Sequence, residues 1–129
     1  MSPSSRDALR YLGALATLVV GAVHIQQYAD FIADFPTIGT LFLLNGLGAG
    51  VVAIMLATRH ATLGALAGIA LSATALVSVF ISMTDKGLFN YTEPTFRAAI
   101  VIAIVAEIAA LVLLLAYLAL QRQRTPSAS

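Results

Sequence analysis

Four long apolar runs constrain the fold of this chain more than any other feature. They cover residues 9–28, 38–58, 62–83 and 96–120. A helix needs about 20 apolar residues to cross the hydrocarbon core of a bilayer, and each run reaches that length. The runs lack the apolar–polar alternation of a membrane β-strand, and an open sheet is not stable in lipid. We therefore predict an all-α protein with four transmembrane helices.

The composition and the short connections agree with a helical bundle in a membrane. Of the 129 residues, 60% are hydrophobic and 10% are charged, whereas about a quarter of residues are charged in a soluble domain. Only residues 59–62 connect the second and third runs, which makes those helices antiparallel neighbours. The sequence thus predicts a single up-and-down four-helix domain over residues 1–124, followed by a disordered tail over residues 125–129.

The distribution of cations predicts the orientation in the membrane. One side of the predicted bundle carries five arginines, namely Arg6, Arg10, Arg59, Arg122 and Arg124. The other side carries four acids and only two cations, namely Asp30, Asp34, Asp85, Glu93, Lys86 and Arg97. Because positive loops stay in the cytoplasm, both termini are expected there, in a multi-pass protein of the cell membrane. The first run has no small-residue cleavage site after it, so we expect an uncleaved anchor rather than a secretory signal.

Several classes of chemistry are disfavoured. The chain has no cysteine, which excludes disulfides, thiolate metal sites and cysteine nucleophiles. Its net charge of only +1 indicates that it has no strongly basic surface that could bind nucleic acid. His24 and His60 fall near opposite membrane surfaces, so one chain cannot place both on the same haem iron. We predict no metal and no obligatory cofactor.

Each predicted helix carries a stripe of small and polar residues at helical spacing. Because small residues allow membrane helices to approach closely, the four stripes should face one another. The stripes contain the candidate ligand-binding or proton-binding residues, namely His24, Tyr28, Asn45 and Glu107. We expect them to form an outward-facing polar site between the helices. The alternative is that these side chains only connect helices structurally.

Glu107 is the most costly residue to place in a membrane, because it falls near the midplane. Such a carboxyl group should face the bundle interior, be paired, or hold its proton. No lysine or arginine lies at its depth in the sequence. Its partners within one chain would therefore be hydroxyl groups, Asn45 or His24.

The predicted outer loop, residues 82–97, contains four charged residues, namely Asp85, Lys86, Glu93 and Arg97. They can neutralise one another in a loop that lies on the membrane surface. Alternatively, the loop is a lid over the polar site, in which case Arg97 could pair with Asp30 or Asp34.

The same residues carry a family resemblance. His24 with Tyr28, PTIGTLFLLN over residues 36–45, SMTDKGLFNYTE over residues 82–93, and a glutamate on the last helix form one pattern. It resembles a group of small four-helix integral membrane proteins that are frequent in high-GC Gram-positive bacteria. The chain departs from the group at Asn90, where the group usually has glycine. The resemblance implies the fold and the membrane placement, and it implies no reaction.

Three functions are compatible with these features. A non-enzymatic binding or accessory protein would hold a small ligand, a lipid-soluble cofactor such as a quinone, or a larger membrane complex. A proton or ion path would act through Glu107 and His24, and would need a homo-oligomer because four helices are too narrow for a pore. An intramembrane enzyme would use one of these two residues as a general base. Since the sequence has no paired nucleophile and base, no metal triad and no phosphate loop, we favour the first function.

Overall fold

The structure of the chain is a computed structural model that describes residues 3–93 and 95–124, without the side chains of residues 3 and 124. It contains four α-helices and one short 3₁₀ turn over Ile32–Asp34. The helices are α1 (Pro3–Asp30), α2 (Pro36–Leu56), α3 (Ala61–Ser82) and α4 (Ala98–Arg124). The described residues include no β-strand beyond a single bridge between Leu88 and Tyr91. The prediction of an all-α protein is confirmed.

All four helices are long and apolar enough to cross a membrane, as the sequence predicts. The first and last helices extend beyond the apolar runs: α1 begins at Pro3 instead of residue 9, and α4 continues to Arg124. Their polar ends therefore add turns at one end of the bundle. The tail predicted to be disordered, residues 125–129, lies outside the described residues.

The helices pack as an antiparallel bundle in which α1 and α3 occupy opposite corners. Each of these two helices packs on both α2 and α4, whereas no Cα atom of α2 lies within 8 Å of a Cα atom of α4 among the described residues. Gly13, near the start of α1, packs against Leu114 of α4. At the other end of the same pair, Gln27 of α1 contacts Arg97. The chain therefore runs up and down through the bundle.

The interior is closed by small residues that face larger ones. Leu114 is fully buried between α1 and α3. A Cβ atom on Gly68 of α3 would lie 2.7 Å from Leu114 Cδ1, so the glycine makes room for the leucine. Large apolar side chains instead cover the outer faces of the helices, among them Leu15, Leu47, Ile54, Val105 and Val112. Small residues at the helix contacts and large apolar residues on the outer faces are typical of a protein whose outer surface contacts lipid.

Hydrogen bonds identify the residues that share each end of the bundle. Arg6 Nη1 donates to Gln121 Oε1 at 2.7 Å, and Gln121 Nε2 donates to Thr62 Oγ1 at 3.3 Å. The start of α1, the end of α4 and the α2–α3 turn therefore lie together, and we call this the terminal end. The opposite end, the loop end, carries the 3₁₀ turn and the α3–α4 loop. That loop contains a tight hairpin turn in which Leu88 and Tyr91 exchange two backbone hydrogen bonds of 2.8 and 2.9 Å.

Candidate functional site: a lateral groove at His24

A groove of about 390 Å³ lies between α2 and α3, with the side chain of His24 reaching it from α1. Most of its lining is apolar. Its polar lining residues are His24, Asn45, Thr74 and Ser78. We call this cavity the His24 groove. It combines a few polar groups with apolar walls, as small-molecule sites do.

His24 is held in one orientation by its own helix and by an aromatic neighbour. Its Nδ1 atom lies 2.8 Å from the carbonyl oxygen of Val20. A carbonyl can only accept a hydrogen bond, so Nδ1 carries the proton and donates it. The imidazole ring also packs on Phe42, with ring centroids 4.7 Å apart. The second ring nitrogen, Nε2, makes no hydrogen bond to the described residues.

Asn45 lines the same groove and is also incompletely satisfied. Its Oδ1 atom is buried and has no hydrogen-bond partner among the described residues. A buried polar atom without a partner is uncommon in a native protein and costs about 1–3 kcal/mol. Two residues that line the groove, on two helices, therefore have unused hydrogen-bonding capacity.

The groove opens sideways through the outer faces of α2 and α3. Leu41 and Leu44 on one rim are 42% and 56% exposed, and Thr74 on the other rim is also exposed. Leu88, from the hairpin turn, lines the groove at the loop end. A molecule dissolved in a bilayer would thus reach His24 between the two helices.

Glu107 lies inside the bundle but does not line the His24 groove. It is 1% exposed, and its Oε2 atom has no hydrogen-bond partner among the described residues. The Oγ atom of Ser72, on the neighbouring helix α3, is likewise buried and unpartnered. Because Gly68 packs against Leu114, the antiparallel register places Ser72 and Glu107 within about one helical turn of each other in height along the bundle axis. Neither His24 nor Asn45 hydrogen-bonds to Glu107.

The structure thus brings only two of the four candidate residues together. The structure brings His24 and Asn45 together in the groove. Glu107 is buried in the interior outside the groove, and Tyr28 lies half-buried one turn beyond His24 without lining the groove.

Three side chains of the α3–α4 loop form a hydrogen-bonded group with Gln27 of α1. We call these four side chains the loop cluster: Gln27, Tyr91, Glu93 and Arg97. Tyr91 Oη donates to Glu93 Oε2 at 2.6 Å, and Arg97 Nε donates to Glu93 Oε1 at 2.7 Å. Arg97 Nη1 donates to Gln27 Oε1 at 2.7 Å. Glu93 is only 2% exposed. The cluster attaches the loop to the end of α1.

The pairing of Arg97 differs from the sequence expectation. Asp30 and Asp34 were its suggested partners, but both are exposed, and Arg97 instead pairs with Glu93 and Gln27. The Arg97 guanidinium also lies 5.0 Å from the centre of the Phe31 ring.

The other two charged loop residues, Asp85 and Lys86, are exposed in the turn after α3 and take no part in the cluster. Of the four charged loop residues, which all lie in the described part of the chain, only Glu93 and Arg97 form an ion pair with each other, and that pair is partly buried.

The position of Tyr91 in the loop cluster changes the pKa of its hydroxyl group. Burial raises the pKa of Tyr91 well above its ordinary value of 10.0. The hydrogen bond to Glu93 and the negative charge of that residue raise the pKa further, while Arg97 opposes them. Tyr91 therefore remains a hydrogen-bond donor to Glu93 throughout the neutral range.

Sequence reasoning missed Gln27 and Tyr91 as members of this cluster. The spacing of four residues between Glu93 and Arg97 is a usable signal for an ion pair. By contrast, Gln27 lies 70 residues from Arg97 in the chain, and no local pattern connects them. The described residues contain no group of three histidine, aspartate or glutamate side chains that could hold a metal ion.

Fold and groove together define a class: a small four-helix bundle with membrane-length helices and a lateral polar groove. Comparison of the chain with protein-family models, curated proteins and solved structures finds no match.

Proposed function

We propose that this chain is a multi-pass protein of the bacterial cytoplasmic membrane that binds a lipid-soluble small molecule in the His24 groove without catalysing a reaction. The observation that carries the proposal is the pairing of His24 with Asn45, two incompletely hydrogen-bonded side chains, in an otherwise largely apolar cavity of about 390 Å³. That volume lies in the range of about 300–1,000 Å³ that is usual for ligand sites. A ligand head group would satisfy the two side chains, and its apolar part would contact the leucines of the rim.

The shape of the groove supports a ligand that comes from the bilayer. The rim residues belong to the exposed, apolar faces of α2 and α3, where lipid chains would lie. A lipid-soluble cofactor such as a quinone fits this description. Among the described residues, no hydroxyl group that lines the groove hydrogen-bonds to His24, so the groove shows no paired nucleophile and base, which supports binding.

The distribution of charge supports cytoplasmic termini. Arg6 lies at the terminal end, where it contacts Gln121, and Arg59 lies in the α2–α3 turn at the same end. An excess of arginine and lysine marks the cytoplasmic side of a membrane protein. The His24 groove, which Leu88 borders at the loop end, would then lie in the outer half of the bundle.

Native mass spectrometry of the protein released from its own membrane tests the binding function. We expect wild type to carry a bound small molecule and His24→Leu and Asn45→Leu to lose it. Gln26→Leu is the matched control, because Gln26 is an exposed polar residue on the same helix outside the groove. Wild type without a bound molecule, or equal occupancy in all four proteins, would contradict the proposal. A partner subunit in the spectrum would instead indicate an accessory role in a larger complex or a homo-oligomer.

One observation favours a second function, proton or ion translocation. Glu107 is a buried acid with an unpartnered oxygen, and the unpartnered hydroxyl of Ser72 lies close to it along the bundle. Buried ionisable residues in membrane helices often belong to ion or proton paths. Proton flux into liposomes that contain the protein would support this function if Glu107→Gln abolished it. Equal flux in liposomes with wild type, with Glu107→Gln and without protein would exclude it.

A further inference from the structure

The hydrogen bonding of His24 restricts the chemistry of the head group that the groove can hold. Because Nδ1 donates its proton to the Val20 carbonyl, the neutral ring carries a lone pair on Nε2. Nε2 is therefore a hydrogen-bond acceptor, and the described residues supply no donor to it. Asn45 has both a donor and an acceptor, so it does not discriminate between head groups.

A ligand that satisfies Nε2 must therefore supply a donor, and in a lipid-soluble neutral molecule the simplest donor is a hydroxyl group. The carbonyl oxygen of a quinone is only an acceptor and would leave Nε2 unpaired. A methyl ether has the same defect. An unpaired polar atom in a dehydrated site reduces affinity because it has lost its hydrogen bond to water.

The ring of Phe42 adds a preference for an aromatic head group. It lines the groove and packs against the imidazole of His24 at a centroid distance of 4.7 Å. An aromatic ring placed beside both would contact Phe42 while its hydroxyl group reached Nε2. An attached apolar tail would lie between Leu41 and Leu44 at the rim.

We propose that the His24 groove binds a lipid-soluble hydroquinone in preference to the corresponding quinone, through a hydrogen bond from a phenolic hydroxyl to His24 Nε2. This inference rests on the proposed binding function and specifies the ligand class. No electron or proton transfer within the protein is involved, since the groove only selects the hydroxyl-bearing form.

The test measures the affinity of four probes for the full-length protein in lipid nanodiscs. The measurements are made without oxygen, and a reducing agent is added only to the hydroquinone sample, so that each probe keeps its oxidation state. The probes are a decyl-substituted hydroquinone, its oxidised quinone, its dimethyl ether, and decanol. One neutral hydrogen bond contributes about a factor of ten in affinity. We expect the hydroquinone to bind about tenfold more tightly than the quinone and the dimethyl ether, and more tightly than decanol. His24→Leu should remove the preference, whereas Gln26→Leu should retain it.

The outcomes separate this inference from the proposed function. Equal affinity for hydroquinone, quinone and ether would overturn the inference and leave the binding function in place. If decanol bound as tightly as the hydroquinone, the inferred preference for an aromatic head group would be wrong. If no probe binds and native mass spectrometry finds no bound molecule, the binding function itself is wrong. If His24→Leu does not fold, the order of affinities of the four probes for wild type still tests whether the groove prefers the hydroquinone.

Discussion

Buried polar side chains in two parts of this protein differ in their hydrogen bonding. In the loop cluster, Glu93 accepts from both Tyr91 and Arg97, and Arg97 also reaches Gln27. Inside the bundle, by contrast, Asn45 Oδ1, Ser72 Oγ and Glu107 Oε2 are unpartnered among the described residues. A satisfied buried network stabilises and orders its surroundings, whereas unsatisfied groups cost stability. The complete hydrogen bonding of the loop cluster favours a structural role for it, and the lid hypothesis for the loop stays a prediction. The unpartnered interior groups are the stronger candidates for function.

Removing the Arg97 side chain should destabilise the protein strongly. Arg97→Gln leaves the nearly inaccessible carboxylate of Glu93 without its cation. Glu93 is buried but the Arg97 side chain is 32% exposed, so we expect a loss of about 1–3 kcal/mol, the cost of leaving a buried acceptor without its partner. Unfolding of the purified protein in mild detergent, followed by circular dichroism, measures this loss.

Two further variants control that measurement. Lys86→Gln removes an exposed cation from the same loop and should change stability by less than about 0.5 kcal/mol. The double variant Glu93→Gln with Arg97→Gln should recover part of the loss, because no uncompensated charge remains. Equal stability of Arg97→Gln and Lys86→Gln would refute the structural role of the cluster.

The raised pKa of Tyr91 predicts a loss of stability at alkaline pH. Since its pKa is higher in the folded than in the unfolded protein, folding favours the protonated hydroxyl. The contribution is fully present below about pH 10, the ordinary tyrosine pKa, and decreases as the pH rises above it. Thermal unfolding between pH 8 and pH 11 should show this decrease in wild type and in Tyr11→Phe, which changes an exposed tyrosine. A decrease of the same size in Tyr91→Phe would show that another group is responsible.

At the scale of the helices, neighbouring helices can approach closely where one of them has a glycine at the contact. Where α2 turns into α3, a Cβ atom on Gly64 would lie 2.8 Å from Met55 Cβ and 3.1 Å from the Leu56 backbone nitrogen. Neither of these atoms can move without shifting the backbone of α2. Gly50 on α2 is different, because its Cβ would meet nothing within 4 Å. Glycines in this protein thus do not share one role.

A pair of alanine substitutions should distinguish the two glycines. Gly64→Ala forces α2 and α3 apart and should lower stability by about 1–3 kcal/mol. Gly50→Ala adds a methyl group in open space and should raise stability by up to about 1 kcal/mol through helix propensity. Thermal denaturation of both variants in the same detergent provides the comparison. A smaller loss in Gly64→Ala than in Gly50→Ala would contradict the observed packing.

At the scale of the whole molecule, the two ends of the bundle differ in chemistry. The terminal end joins α1, α4 and the start of α3 through Arg6, Gln121 and Thr62. The loop end holds the loop cluster, and Leu88 of the hairpin turn borders the groove. The groove is therefore closer to the loop end than to the termini, and membrane orientation determines which side of the membrane it serves.

The orientation can be measured directly because the chain contains no cysteine. Thr58 and Asn90 are exposed residues at opposite ends of the bundle, so Thr58→Cys and Asn90→Cys introduce single reporters. With cytoplasmic termini, a membrane-impermeant maleimide should label Asn90→Cys in intact spheroplasts, and Thr58→Cys only after the membrane is disrupted. The opposite labelling pattern would place the termini outside the cell.

How much of this protein the sequence predicts depends on the range of the interactions involved. The number of helices follows from the length of each apolar run, because the cost of placing a residue in hydrocarbon is a local property of that residue. The burial of Glu107 follows for the same reason, since a carboxyl group exposed to lipid would cost several kcal/mol more than one inside the bundle. These features need no knowledge of how the helices pack.

The partners of each polar group depended on the tertiary structure. His24 shares a groove with Asn45 but not with Glu107, and Arg97 pairs with Glu93 and Gln27 rather than with the nearby aspartates. Such contacts depend on the rotation and the register of whole helices, and rotating a helix by one residue, about 100°, changes every partner. The sequence by itself determined which segments are long and apolar enough to cross a membrane, and only the packing of the four helices decided which side chains meet.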